Sequence, residues 1–295
     1  MHNTIVGAAA KKCSAGFPPA VRVGFILYLF LFASVVWAGE VYHHPTGLTF
    51  VPPDGWNIRD SRFTDFELVP PDPSSNDKGP TESYFLLTLG VAASSAQDPQ
   101  LLQSVDSLMS QIAPFLKKTG EMEPSNSGAL QKWEGKSPSG PDVLAVVYVY
   151  PSAQVSYVQI SLGEKERIVS RQQTLHDLYA NFQPGEGSRE PALIGNWSVS
   201  TTGENQEKLE SSIRFDADGV FRAVQSSGQQ KETVNGRWYA RSGKLFLVLK
   251  NTPSMNLRYE IAGNPETRTV KLIHGNGEVE EMQEGVSETI SRAPD

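Results

Sequence analysis

The chain has 295 residues, with 39% hydrophobic and 20% charged side chains and 20 prolines. That is globular composition, and it excludes a disordered tail, a collagen-like repeat and a multispan membrane protein. The formal net charge is −7, with no basic run or basic–aromatic patch to attract a phosphate backbone, so nucleic acid is excluded as a partner.

Residues 1–38 read as an export signal. Lys11, Lys12 and Arg22 form a positive leader, and Val23 opens an uncharged run of 16 residues that Ala38 closes. Val36-Trp37-Ala38 puts small residues before a cut ahead of Gly39. The run is shorter than the ~20 residues that span a bilayer comfortably, while the leader is long for a signal peptide. Two readings therefore stand: a cleaved signal, or a signal-anchor held in the inner membrane through residues 23–38. Both make the remainder an exported chain, periplasmic or extracellular.

The single cysteine, Cys13, lies in the leader. The rest has neither a thiolate nucleophile nor a Cys-based zinc site, and must hold its fold by burial alone. The leader carries three of the 26 basic residues and none of the 33 acidic ones, which leaves 23 against 33 and a net charge of −10.

A polar stretch at 184–191, with two prolines and two glycines, reads as a linker that few contacts cross. Before it, strands are predicted at 48–51, 56–59 and 63–69, then a loop at 70–82 and an apolar strand at 84–92. Asp98-Pro99 predicts a helix start. Leu101, Val105, Leu108, Ile112 and Phe115 follow at steps of four, three, four and three, one face of an α-helix. Strands at 130–133, 143–150 and 155–162 come next. A second long helix at 164–182 is read from the stripe Ile168, Leu175, Leu178 and Phe182. The class predicted for 41–183 is α+β, an antiparallel-sheet α/β sandwich with two long helices.

Tyr42, the strand at 47–50, the turn Pro53-Asp54-Gly55-Trp56 and the closing Leu175-His176-Asp177-Leu178-Tyr179-Ala180-Asn181-Phe182 resemble the PsbP-like families. That resemblance implies an exported α/β sandwich of accessory or binding function.

From 192 to 285 the pattern is all β, with strands at 195–201, 209–215, 220–225, 233–240, 245–249, 257–261, 269–273 and 279–282. Turn signals separate most of them, including Asp216-Ala217-Asp218-Gly219, Ser242-Gly243 and Gly275-Asn276-Gly277. Such spacing predicts an up-and-down meander or small barrel, followed by a flexible tail at 286–295. Leu193-Ile194-Gly195-Asn196-Trp197, Phe215-Asp216-Ala217-Asp218-Gly219-Val220-Phe221 and Gly236-Arg237-Trp238-Tyr239 resemble the lipocalin-like (calycin) group. The segment is short for a full lipocalin, so a packed barrel is expected rather than a roomy cup.

Catalytic signatures fail one by one. Gly135-Lys136-Ser137 would need a glycine where Leu130 stands to be a phosphate loop, and Gly135-Lys136-Ser137-Pro138-Ser139 has Ser139 where a nucleophile elbow needs its closing glycine. His43 and His44 are strand neighbours that point to opposite faces, and His176 and His274 are remote, so all four read as ordinary surface histidines. Asp216-Ala217-Asp218-Gly219 has no following glutamate for a calcium loop and reads as a hairpin turn. No catalytic, metal or cofactor residue is assigned, and no cofactor is expected. Trp197, Trp238, Phe221 and Tyr259 are the candidate barrel-mouth residues, either contacting a ligand or packing. The expected function is that of a non-enzymatic envelope protein that binds a partner protein or a small apolar ligand. The alternative is an assembly accessory factor for a membrane complex.

Overall fold

The computed structural model describes residues 40–285 except 62–63, 77–78, 126–127, 139, 203–207, 228–229, 264–267 and 275–277. The leader, the tail, Phe63, Ser139 and the turn at 275–277 lie outside the described residues. Among the described residues no helix is long and apolar enough to cross a membrane.

Two short strands, β1 (Tyr42–His43) and β2 (Thr49–Phe50), pair at the start. Next come β3 (Asn57–Arg59), β4 (Phe66–Val69), the small pair β5 (Ser75–Asn76) and β6 (Gly79–Pro80), and β7 (Glu82–Leu89). Helix α1 (Pro99–Ile112) leads to β8 (Lys117–Ser125), β9 (Gly128–Lys136), β10 (Asp142–Tyr150) and β11 (Ser156–Glu164). The large sheet runs in the order β3-β4-β7-β11-β10-β9-β8, antiparallel throughout.

Helix α1 begins where the sequence indicates. The Asp98 carboxylate accepts from the backbone N–H groups of Gln100 (2.9 Å) and Leu101 (3.2 Å), two donors the helix itself cannot satisfy. Its face buries Leu101, Val105, Leu108 and Met109 against one side of the sheet, where Leu87, Val147, Val158 and Trp133 form the core. Ile112 and Phe115, expected on that face, are each 37% exposed.

The predicted α/β sandwich with two long helices does not form. Over the described residues the chain is 52% strand and 15% helix. The second stripe folds as two short helices, α2 (Lys165–Ser170) and α3 (Gln172–Ala180). The break falls at Arg171, where no proline or glycine stands, so the cause is tertiary. The Arg171 guanidinium is drawn out to Asp72 (2.7 Å), reaches the buried carboxylate of Glu82 at 3.5 Å, and lies over the Trp56 ring. The other face of the sheet is therefore covered by α2, α3, the segment around Leu48 and Phe50, and side chains from the C-terminal half.

In that half, a 3-10 turn (Pro191–Leu193) precedes eight strands: β12 (Gly195–Thr202), β13 (Lys208–Phe215), β14 (Val220–Ser227), β15 (Gln230–Arg241), β16 (Lys244–Leu249), β17 (Met255–Ala262), β18 (Thr269–Ile273) and β19 (Val279–Glu284). Each pairs antiparallel with the next, and β19 returns to β12 through Val199 and Met282, which closes the barrel. Closure removes both edges that an open meander would leave exposed.

The polar segment at 184–191 is threaded between the two halves, against the expectation that few contacts cross it. Ser188 donates its N–H to the Pro45 carbonyl and accepts from the Ala240 N–H, both at 2.8 Å. At Gly187 an added Cβ would sit 2.0 Å from the Tyr239 ring, so glycine is required there for close approach. Gly187→Ala is expected to lower stability by about 1–3 kcal/mol, the range for overpacking a filled site. Chemical denaturation checks it, and an unchanged midpoint would show that the ring yields freely.

Candidate functional site

Alternation along the barrel strands divides their side chains between two environments. Inward residues fill the lumen: Trp197, Phe215, Phe221, Trp238, Tyr259 and Met282 belong to one buried cluster, with Leu193 of the 3-10 turn lying against its end. The four candidate barrel-mouth residues are all in this cluster, at 1% (Trp197), 0% (Trp238), 2% (Phe221) and 8% (Tyr259) exposure. The indole N–H of Trp197 donates to the Leu193 carbonyl (2.7 Å) and that of Trp238 to the Asp216 carbonyl (2.9 Å). With the ring bodies packed and the polar tips satisfied by backbone, these side chains act as core. Arg268 lies over the Trp197 ring, bonded to Glu284 and to the Ala192 carbonyl, and fixes that end of the barrel.

Outward residues of β15 and β16 meet the sheet half. Tyr239, Phe246 and Val248 are at most 3% exposed and belong to the same cluster as Tyr148, Tyr157 and Phe182. Backbone bonds extend the seam: Gly90 N–H donates to the Thr252 carbonyl (3.0 Å), Asn251 N–H to Gly90 (3.1 Å) and Ser254 N–H to Thr88 (2.8 Å). The end of β7 is thus paired with the connection between β16 and β17.

A buried polar cluster sits on this seam. Asp65 accepts from the hydroxyls of Thr88 (2.5 Å) and Ser254, and Asn256 donates its side-chain amide to the Thr64 carbonyl. Burial pushes the Asp65 carboxyl up to about 6, against the lowering effect of those hydroxyls. His44 is also buried, at 1% exposure, so its reading as a surface histidine is corrected. Its Nδ1 takes the Thr46 N–H at 3.4 Å and lies 2.7 Å from the Thr46 hydroxyl. An acceptor Nδ1 assigns the proton to Nε2, which makes no hydrogen bond and lies 3.8 Å from Asp65. Burial, reinforced by the Lys244 charge, lowers its pKa to about 3, and the ring stays neutral with the Phe246 ring edge-on at 4.6 Å.

Histidine, aspartate and serine thus meet, but with the wrong connectivity for a triad. Ser254 donates directly to the carboxylate, and the imidazole is engaged by Thr46 rather than by a serine. The imidazole therefore contacts no serine hydroxyl, as the base of a triad would. Among the described residues, no three His, Cys, Asp or Glu side chains converge to hold a metal ion.

Two clefts open along the seam. One, of about 310 Å³, is lined by Asp60, Asp65, Lys244, Phe246, Arg258 and His274, among others. Lys244 and Asp60 are ion-paired across it. The other, of about 390 Å³, lies between Gly90–Ala92 on one side and β14–β16 on the other. Sequence reading missed both, because the residues that form them are distant in the chain: Asp65 and Ser254 are separated by 189 positions.

No family model matches the chain, so neither the PsbP-like nor the lipocalin-like resemblance gains a family assignment. No curated protein matches the sequence significantly. Among solved structures, the chain is similar to LpqN, involved in cell envelope biogenesis of Mycobacterium tuberculosis, at 15% identity and a TM-score of 0.35. That match covers 50% of this chain and 90% of LpqN. It is also similar to a protein of Bacteroides thetaiotaomicron at 12% identity and a TM-score of 0.33, over 56% of this chain and 54% of the other.

Proposed function

We propose that the chain is an exported, non-catalytic binding protein that holds a small ligand at the seam between its sheet and its barrel. The observation that carries this reading is the distribution of space. The barrel lumen is occupied by aromatic side chains, whereas cavities of about 310 and 390 Å³ open where the barrel's outer face meets the sheet. Cavities of about 300 Å³ and above are the size that small ligands use. The leader at 1–38 supports export, and the direct Ser254–Asp65 bond supports a binding role over a hydrolytic one. Native purification from the source cells followed by native mass spectrometry tests the proposal. A small molecule retained at one per chain is expected. A chain recovered free of small molecules but in stoichiometric complex with another protein would overturn it in favour of the assembly-factor reading.

A further inference from the structure

The larger seam cleft has a composition that selects among ligands. The apolar side chains that reach its surface are Ala92 and Val220, above the buried Val91 at the end of the sheet, Val155 before β11 and Val248 of β16. Four amides, Gln100, Gln154, Asn235 and Asn251, surround them. The charged side chains among its lining residues are Arg237 and Lys250, and no Asp or Glu joins them. Neither cation forms an ion pair among the described residues, in a chain whose net charge is −7. Two cations brought to one cleft that no carboxylate lines make it a place where an anion is favoured.

The polar groups are also held in position. Arg237 lies two positions before Tyr239 on β15, and the Tyr239 hydroxyl donates to Gln154 at 3.3 Å. Tyr239 is itself buried at the seam, so a rigid ring holds the Gln154 amide at the cleft that Arg237 also lines. Across the cleft, Gln100 donates to Asn251 at 2.7 Å and ties the start of α1 to the barrel. Arg222 bonds Asn235 at 3.3 Å and adds a third cation at the edge. The smaller cleft differs, because Asp60 and Asp65 stand among its cations and Lys244 is already paired.

From this geometry we infer that the cleft between residues 90–92 and β14–β16 binds an anionic amphiphile, its head on Arg237 and Lys250 and its chain along Ala92 and Val220. The inference rests on the seam-binding reading and names its ligand class. An anion held by charge-assisted bonds gains a tenfold or greater advantage over an uncharged analogue.

Titration calorimetry of the full exported chain with decanoate, decyl phosphate and decanol tests it. One-to-one binding of the two anions is expected, with decanol at least tenfold weaker. The two anions separate a carboxylate ligand from a phosphate one by which binds more tightly. The double variant Arg237→Gln/Lys250→Gln should weaken both anions tenfold or more and leave decanol unchanged. Val220→Glu, at a position already 38% exposed, should reproduce that loss without touching either cation. The inference is overturned if decanol binds as tightly as the anions. It is equally overturned if both variants bind anions normally while Lys244→Gln/Arg258→Gln abolishes binding. Either result leaves the seam reading standing. No saturable binding of any probe overturns the inference, and both readings fall if native mass spectrometry also finds no retained small molecule.

Discussion

Phe246→Ala is expected to cost about 3–5 kcal/mol, the range for deleting a buried aromatic ring, and to destabilise both halves of the chain together. Phe246 projects outward from the barrel yet is 1% exposed, because it enters the core beneath the sheet beside His44. The seam also carries the backbone bonds between Thr88–Gly90 and 251–254, and the threaded segment with Ser188 bonded on both sides. The described residues form one compact unit. Separating the halves would expose apolar surface and leave those backbone groups unpaired, so unfolding one without the other is costly. Hydrogen exchange by mass spectrometry in a urea series provides separate readings for β7 and β12. Protection in both should disappear at one midpoint, and Phe246→Ala should move both by the same amount. Two midpoints, with only the barrel's displaced, would show that the halves are independent domains.

The parts of this architecture that the sequence exposes are those built from local pairings. The barrel strands follow one another at short intervals with glycine turns between them, so each hairpin is legible from its own residues: Gly219 has a φ of +86° at the β13–β14 turn and Gly243 one of +78° at the β15–β16 turn. Helix α1 announces itself through Asp98-Pro99 and a clean apolar stripe. The edge strand β8 gives no such signal, since Lys117, Lys118, Glu121 and Glu123 face solvent and the apolar alternation is absent. The seam is illegible for a different reason. Tyr239 and Phe246 alternate with Trp238 and Leu245, so both faces of these strands are apolar and neither declares which half it contacts. The polar segment at 184–191 uses its backbone, not its side chains, to join the halves, and backbone pairing leaves no trace in composition. The candidate site inherits that obscurity: Asp65 and His44 look like ordinary surface residues until Phe246 and Ser254 arrive from the far end of the chain.

Asp65→Asn is expected to become progressively more stable relative to the unaltered protein as pH rises from 4 to 7. The buried Asp65 carboxyl is raised to about 6 from 3.8, so the folded protein favours its neutral form. The stability tied to Asp65 is therefore complete below pH 3.8, and it is lost as pH rises through 6. A shift of that size corresponds to about 3 kcal/mol. His44 acts in the opposite direction. Lowered to about 3 from 6.5, it contributes stability above pH 6.5 that is lost as pH falls toward 3. The two slopes oppose each other between pH 4 and 6, and the unaltered protein should change little there through this pair. Around them stand Tyr42, Tyr157, Asp60 and Lys244, of which the tyrosines are pushed above their ordinary values by burial and stay neutral throughout. Asparagine keeps an acceptor for one of the two hydroxyls and removes the titration, leaving the His44 slope alone. Urea unfolding of both proteins at half-unit steps from pH 4 to 7 measures the difference. It should grow in favour of the variant by about 3 kcal/mol over that interval. A difference that stays constant across the range would mean that Asp65 ionises on the seam as freely as in water.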